Sequence, residues 1–263
     1  MHCLIAPAGA SPQPAWMHPL DALLARAAEL PPCAPDPLDL HTPAERWLGR
    51  LHGLPDSAAL PLAAWRLQDR SRPWAFVSPL HLRVQATQVS ALPQSLLALT
   101  DAESRALFDA LAPLFPADEG WEWQWLSPLT WAASHAELDG LALASLERAV
   151  DRPVTPWLPQ ERRIRRWTNE AQMLWHTHPV NAARELAVNS IWWWGAGRFA
   201  GEPPTQLQQP LDEAQAAEAM ASLQRGDVLA LAGERQVRSF QLGGRPWWKL
   251  GRGLRAADVL GSL

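Results

Sequence analysis

Asn181, Arg184 and Asn189 are the residues of this chain whose types and spacing best suit chemistry. A guanidinium offers a planar fork of donors that grips a phosphate or carboxylate in one orientation, and nearby amides can hold the fork in place. The same residues also fit a structural network, with Asn181 capping a helix and Arg184 paired to Glu170 or Glu185. Trp175 and Trp194 are candidate walls, and a guanidinium among indoles is costly to bury unless its donors are used. Gly195 and Gly197 let the chain turn tightly after the tryptophans. A phosphate-binding glycine loop needs a helix directly behind it, and Phe199-Ala200-Gly201-Glu202-Pro203-Pro204 is not one. His176 and His178 form a candidate metal pair. No cysteine or compact carboxylate cluster lies beside them, and a histidine before proline more commonly caps a helix end. His178 is nonetheless counted among the expected ligand contacts. The expected site is Asn181, Arg184, Asn189, Trp175, Trp194, Gly195, Gly197 and His178, with no catalytic residue, metal ligand or cofactor.

These groups are carried by the stretch from Trp167 to Arg198. Ile164, Trp167, Ala171, Leu174 and Trp175 recur at helical spacing, which predicts an amphipathic helix that Pro179 ends or restarts. Asn189 to Trp194 reads as a buried strand that stops at Gly195-Ala196-Gly197. Upstream, Cys3 to Ala6 is an expected strand and Met17 to Leu30 an expected helix. Thr42 and Pro43 open a helix over Ala44 to Leu51, and Ser57 to Leu67 can hold another. From Trp74 the period becomes two, with strands expected at Trp74–Val77, Leu80–Val84 and Gln88–Leu92. Thr100 and Glu103 make a capping box for a helix over Asp101 to Leu111. Trp121, Trp123 and Trp125 alternate with Glu122 and Gln124, so the indoles should share a sheet face, with Leu129–Ala132 returning beside them. Later elements are a loop at Gly201–Pro210, a helix at Leu211–Leu223, and strands at Asp227–Leu231 and Val237–Leu242. Pro153 to Pro159 is the expected connector, dividing an N-terminal α/β region (1–152) from a motif-bearing C-terminal region (153–263), with one continuous domain as the alternative.

Composition bounds the rest. The 263 residues can bury a real core, and 48% hydrophobic with 19% charged is a globular balance. The chain has 16 Trp, no Tyr, and Lys249 as its one lysine among 23 basic residues. This usage fits a genome rich in G and C and makes the arginine excess weak support for phosphate binding. A net charge of −4 argues against nucleic acid, whose binding is dominated by phosphate neutralisation. Two cysteines, Cys3 and Cys33, exclude an all-cysteine zinc site and argue against a disulfide framework. No signal-peptide pattern or eighteen-residue apolar run is present, so a cytoplasmic protein without a membrane span is expected.

The run NEAQMLWHTHPVNAAR, followed by VNSIWWWGAG, resembles the signature of the RpfE-type regulatory proteins, which are phosphoglycerate-mutase-like. Looser similarity extends through Trp74–Val89 and Trp121–Trp131. The narrower HPVNAAR and NSIWWWGAG pattern is also similar to a segment of the archaeal-type cofactor-independent phosphoglycerate mutases, covering about thirty residues. In those enzymes the segment belongs to the part that closes over the phosphorylated substrate. The resemblance implies metal ligands in an aspartate-glycine motif after the first strand, but Leu4-Ile5-Ala6-Pro7-Ala8-Gly9 has no aspartate there. Asp109, His135, Asp139 and Asp151 stand isolated. The expectation is a mixed α+β protein that binds or regulates without catalysis. Its ligand would be a small phosphate- or carboxylate-bearing molecule, or its target a protein partner. The alternative is a mutase-like enzyme with dispersed metal ligands.

Overall fold

A computed structural model describes residues 2–7, 17–199, 206–208, 218, 220–243 and 254–263. It is a mixed α+β fold, as the sequence predicts. The chain forms two compact units, one built from 1–37, 42–56 and 201–263, the other from 38–41 and 57–200.

The first unit holds a five-stranded sheet. Strand β1 (His2–Pro7) lies between β9 (Gln206–Gln208) and β10 (Val228–Ala232), parallel to both. Strand β11 (Val237–Leu242) runs antiparallel to β10 and to β2 (Ala27–Glu29). Alternation along β10 builds two cores. Leu229 and Leu231 pack with Leu20, Leu24 and Phe240, whereas Val228 and Ala230 pack with Trp47 and Val237. Trp47 comes from α2 (Pro43–Leu51), whose Thr42 and Glu45 complete the capping box. Two expectations are corrected here. Helix α1 spans Met17–Leu24 rather than reaching Leu30, because Ala27–Glu29 is taken by pairing with β11. Gln206–Gln208, expected as loop, is the strand beside β1. The helix expected over 211–223 lies mostly outside the described residues.

The second unit is organised around β3 (Pro73–Leu80), buried along its whole length. Its sheet is antiparallel, in the order β6 (Glu122–Ser127), β7 (Thr130–Ser134), β3, β8 (Ser190–Arg198). A separate hairpin joins β4 (Leu82–Val84) to β5 (Val89–Ala91), and the short helix α5 (Leu146–Ala149) comes later in the same unit. On one face, Ala75, Val77, Ile191 and Trp193 meet α6 (Arg162–His176) through Ile164, Trp167, Ala171 and Trp175. Trp121, Trp123 and Trp125 join that same core, as their alternation predicts. On the other face Phe76 packs against Trp194 with ring centres 4.6 Å apart and planes tilted by 38°, beneath α3 (Leu62–Leu67).

Strand β8 does not stop at the glycines, as the sequence suggested. Gly195 takes φ +62° and Gly197 φ +139°, and the β3–β8 register shifts between Trp74 and Phe76. A side chain at Gly195 would put its Cβ 2.9 Å from Leu62 Cβ, so the glycines form a bulge that lets the strand continue under α3. The proline segment is no boundary between compact units either. Pro153 bridges Ser90, the Val154 N–H donates to the Val89 carbonyl (2.9 Å), and Trp157 is buried. Dividing the chain at 152/153 would separate β3 from its partner β8.

Helix α4 (Asp101–Asp109) supplies a polar tie within the aromatic core. Ser104, fully buried, donates to the Pro128 carbonyl (2.9 Å) and accepts the ring N–H groups of Trp125 (2.9 Å) and Trp131 (3.1 Å). Ser104→Ala should cost about 2 kcal/mol, because two indole donors lose their acceptor inside the protein. Urea denaturation should show a lower midpoint at unchanged slope. A midpoint equal to wild type would mean that the indoles find other acceptors.

Candidate functional site

The sequence places its site at the turn between α6 and β8, and the structure fills that turn with internal bonds. His178 caps α7 (Pro179–Ala182), its Nδ1 accepting the Val180 N–H at 3.3 Å. Asn181 is buried. Its amide donates to the carbonyls of Trp175 (2.9 Å) and Val188 (2.7 Å), and its Oδ1 accepts the Val188 N–H (2.8 Å). Asn189 reads the backbone of Leu82 in both directions, accepting its N–H (2.7 Å) and donating to its carbonyl (2.9 Å).

Arg184 is engaged at every nitrogen. Nη1 pairs with Glu103 Oε1 at 2.6 Å, Nη2 donates to the Leu97 carbonyl, and Nε donates to the Leu186 carbonyl at 3.3 Å. The acid is neither Glu170 nor Glu185; Glu170 pairs instead with Arg166, one turn away at 3.1 Å. Glu103 is held below its ordinary pKa, first by the Thr100 N–H, then by the Thr100 hydroxyl, with burial opposing and Arg184 assisting. This cluster clamps the α6–β8 turn to the start of α4.

The expected aromatic walls do not meet. Trp175 is fully buried in the core shared with α6, its ring N–H donating to the Leu107 carbonyl (3.1 Å). Trp194 is on the opposite sheet face, donating to Ser78 Oγ (3.1 Å). Gly195 and Gly197 abut Leu62 and Pro61. The eight expected residues thus sit around the same turn and strand without converging on one cavity.

A cavity of about 230 Å³ lies elsewhere, between α6, β8 and the segment 157–159. Helix α6 lines it with Arg165, Thr168, Asn169 and Gln172, a polar stripe at i, i+3, i+4 and i+7 beside the buried apolar one. Strand β8 contributes Ser190 to Trp193, and Trp157 closes the far wall. Within the run 162–166, Arg163 pairs with Glu137 (3.3 Å) and Arg166 with Glu170, while Arg165 makes no ion pair among the described residues. Trp192 donates its ring N–H to the Ala144 carbonyl (2.8 Å), whereas the ring N–H groups of Trp157 and Trp193 are buried without a partner among the described residues. The sequence reading missed this site. Its signal in the sequence is the polar stripe of Arg165, Thr168, Asn169 and Gln172 beside the apolar one.

Among the described residues no group of three or more His, Cys, Asp and Glu is placed to hold a metal, and no helix is long and apolar enough to cross a membrane. No protein-family model and no curated protein matches the chain. A solved structure, the cofactor-independent phosphoglycerate mutase from Thermoplasma acidophilum, aligns over 100% of this chain and 95% of its own length, at 13% identity and a TM-score of 0.39.

Proposed function

We propose that this chain is a non-catalytic binding protein of regulatory type, and that its groove between α6 and β8 takes a carboxylate- or phosphate-bearing ligand. The carrying observation is the lining. It offers one guanidinium, two amides and two hydroxyls between indoles, with no carboxylate, imidazole or thiol among its residues. Such groups hold a ligand, and none is among the usual general acids or bases. Arg165 is the natural anchor, because its donors are not engaged by an acidic neighbour as those of Arg163, Arg166 and Arg184 are. The motif's resemblance to RpfE-type regulatory proteins points the same way.

Thermal melts with 3-phosphoglycerate and with inorganic phosphate test this reading. At ten times its dissociation constant a ligand stabilises by about 1.4 kcal/mol, or roughly 3–6 °C for a unit of this size. Arg165→Ala should abolish the shift while leaving the unliganded melting temperature within about 1 °C, since an exposed side chain away from any network contributes little. A shift that survives Arg165→Ala would remove the groove from consideration. Metal-dependent turnover of 3-phosphoglycerate would overturn the non-catalytic reading.

A further inference from the structure

The cavity between α6, β8 and the segment 157–159 has two unlike sides. Arg165, Thr168, Asn169 and Gln172 line it from one helix stripe, and Ser190 is the one polar lining residue outside that stripe. Every other lining residue is apolar. The division also follows depth. Arg165, Asn169 and Gln172 are exposed, so the polar side is the mouth. Leu143, Ala144, Trp157, Ile164, Ile191 and Trp192 are buried and form the interior. A ligand that fits keeps a polar head at the helix and buries an apolar body behind it.

Charge sets the head. Arg165 is the single ionisable group of the lining, and one guanidinium balances one carboxylate. A phosphate monoester carries up to two charges at neutral pH and leaves the second facing apolar walls. A polyhydroxylated body likewise loses its water without finding partners on that side. Volume sets the body. A cavity of about 150 Å³ lined by aliphatic and aromatic side chains takes up benzene. At the same space per atom, about 230 Å³ holds roughly nine non-hydrogen atoms, which is one six-membered ring with a short arm. The interior suits a ring. Trp157 and Trp192 belong to one core cluster, and Trp192 is fixed by its bond to the Ala144 carbonyl. Indoles held in place offer flat apolar faces for offset or edge-to-face contact. Trp193 is committed elsewhere, its ring 5.3 Å from that of Trp167 in the core shared with α6.

We infer that the ligand of this cavity is a compact aromatic monocarboxylate, a single ring on a short acid arm, with its carboxylate on Arg165 and its ring against Trp157 and Trp192. The inference rests on the binding role proposed for the same cavity and names its ligand class. Burial of the ring supplies most of the affinity, and Arg165 selects the charged head. Inorganic phosphate and 3-phosphoglycerate bind more weakly, through the head alone.

The test is isothermal titration of the full chain with phenylacetate, acetate, phenylacetamide, diphenylacetate and 3-phosphoglycerate. Phenylacetate should bind at least about tenfold tighter than acetate or the uncharged phenylacetamide. Its binding should carry a negative heat-capacity change, the mark of apolar burial. Diphenylacetate, with a second ring, should bind at least about tenfold more weakly than phenylacetate. These comparisons use the wild-type chain, so they do not depend on a variant folding. Arg165→Ala should weaken phenylacetate comparably, and Thr168→Phe, which brings a ring into the cavity from α6, should abolish its binding. If 3-phosphoglycerate binds through Arg165 and phenylacetate binds no tighter than acetate, the aromatic body is wrong and the anion-binding role stands. If none of the five binds, both fall. Equal affinity for phenylacetate and phenylacetamide would overturn the carboxylate. Diphenylacetate binding as tightly as phenylacetate, or Thr168→Phe binding phenylacetate like wild type, would place the ring outside this cavity and overturn the inference.

Discussion

Asn181→Leu should destabilise the unit of residues 57–200 by about 3–5 kcal/mol, the sum of several buried groups left unsatisfied at roughly 1–3 kcal/mol each. The side chain ties the last turn of α6 to the entry of β8, by donating to Trp175 and Val188 and accepting from Val188. Leucine fills a similar volume and makes none of these bonds. Val188 is fully buried, so water cannot replace the lost partners without opening the core. The melting transition of that unit should fall by about 6–20 °C. Asn181→Asp keeps the acceptor for the Val188 N–H but aims a carboxylate at two carbonyls, so it should be no better tolerated. Hydrogen exchange should report faster opening at Val188 in either variant. Wild-type stability in Asn181→Leu would mean that the turn is held by other contacts.

Arg184→Leu should cost about 2–4 kcal/mol. The figure lies below the full penalty for breaking a buried pair because Glu103 is not stranded; it keeps both bonds from Thr100. What remains unsatisfied is the carbonyl of Leu97, a buried residue, and that of Leu186. The pH dependence follows from the direction of the Glu103 shift. Its folded pKa lies below the ordinary value of 4.5, so its ionised form contributes stability that is fully present above that value. That contribution is lost as pH falls through the lower folded value. The gap in urea midpoint between wild type and Arg184→Leu should therefore be widest at neutral pH and narrow in acid, once Glu103 is protonated. A gap constant down to pH of about 3 would show that the ion pair adds nothing beyond the carbonyl bonds. The variant should still bind anion through the groove. If it melts like wild type and loses anion binding, Arg184 is a ligand group and the clamp is not structural.

Both residues were singled out from sequence for ligand chemistry, and their bonding shows why residue type alone misleads. A guanidinium beside amides suits an anion and suits backbone carbonyls equally well. Which it meets depends on what lies within reach. For Arg184 that is Glu103 and Leu97, 81 and 87 residues earlier, brought close by the fold. Glu170 looked equally available along the chain but was already paired within one turn of its own helix.

Features that depend on neighbours along the chain were determined by the sequence itself. The stripe that buries α6 follows from spacing, the break before α7 from Pro179, and the Thr100–Glu103 capping box from short-range donor geometry. The shared face of Trp121, Trp123 and Trp125 follows from the pleat. Each is a local preference with its partners within a few residues. Only the tertiary structure decided the pairing of β3 with β8, the strand at Ala27–Glu29 where a helix was expected, and the bulge at Gly195 set by Leu62. It also decided that the open groove lies along the β8 edge rather than around Arg184. Strand order and register are selected by contacts distant in sequence, and one residue of register reverses which side chains and backbone groups face a partner. No local pattern carries that choice.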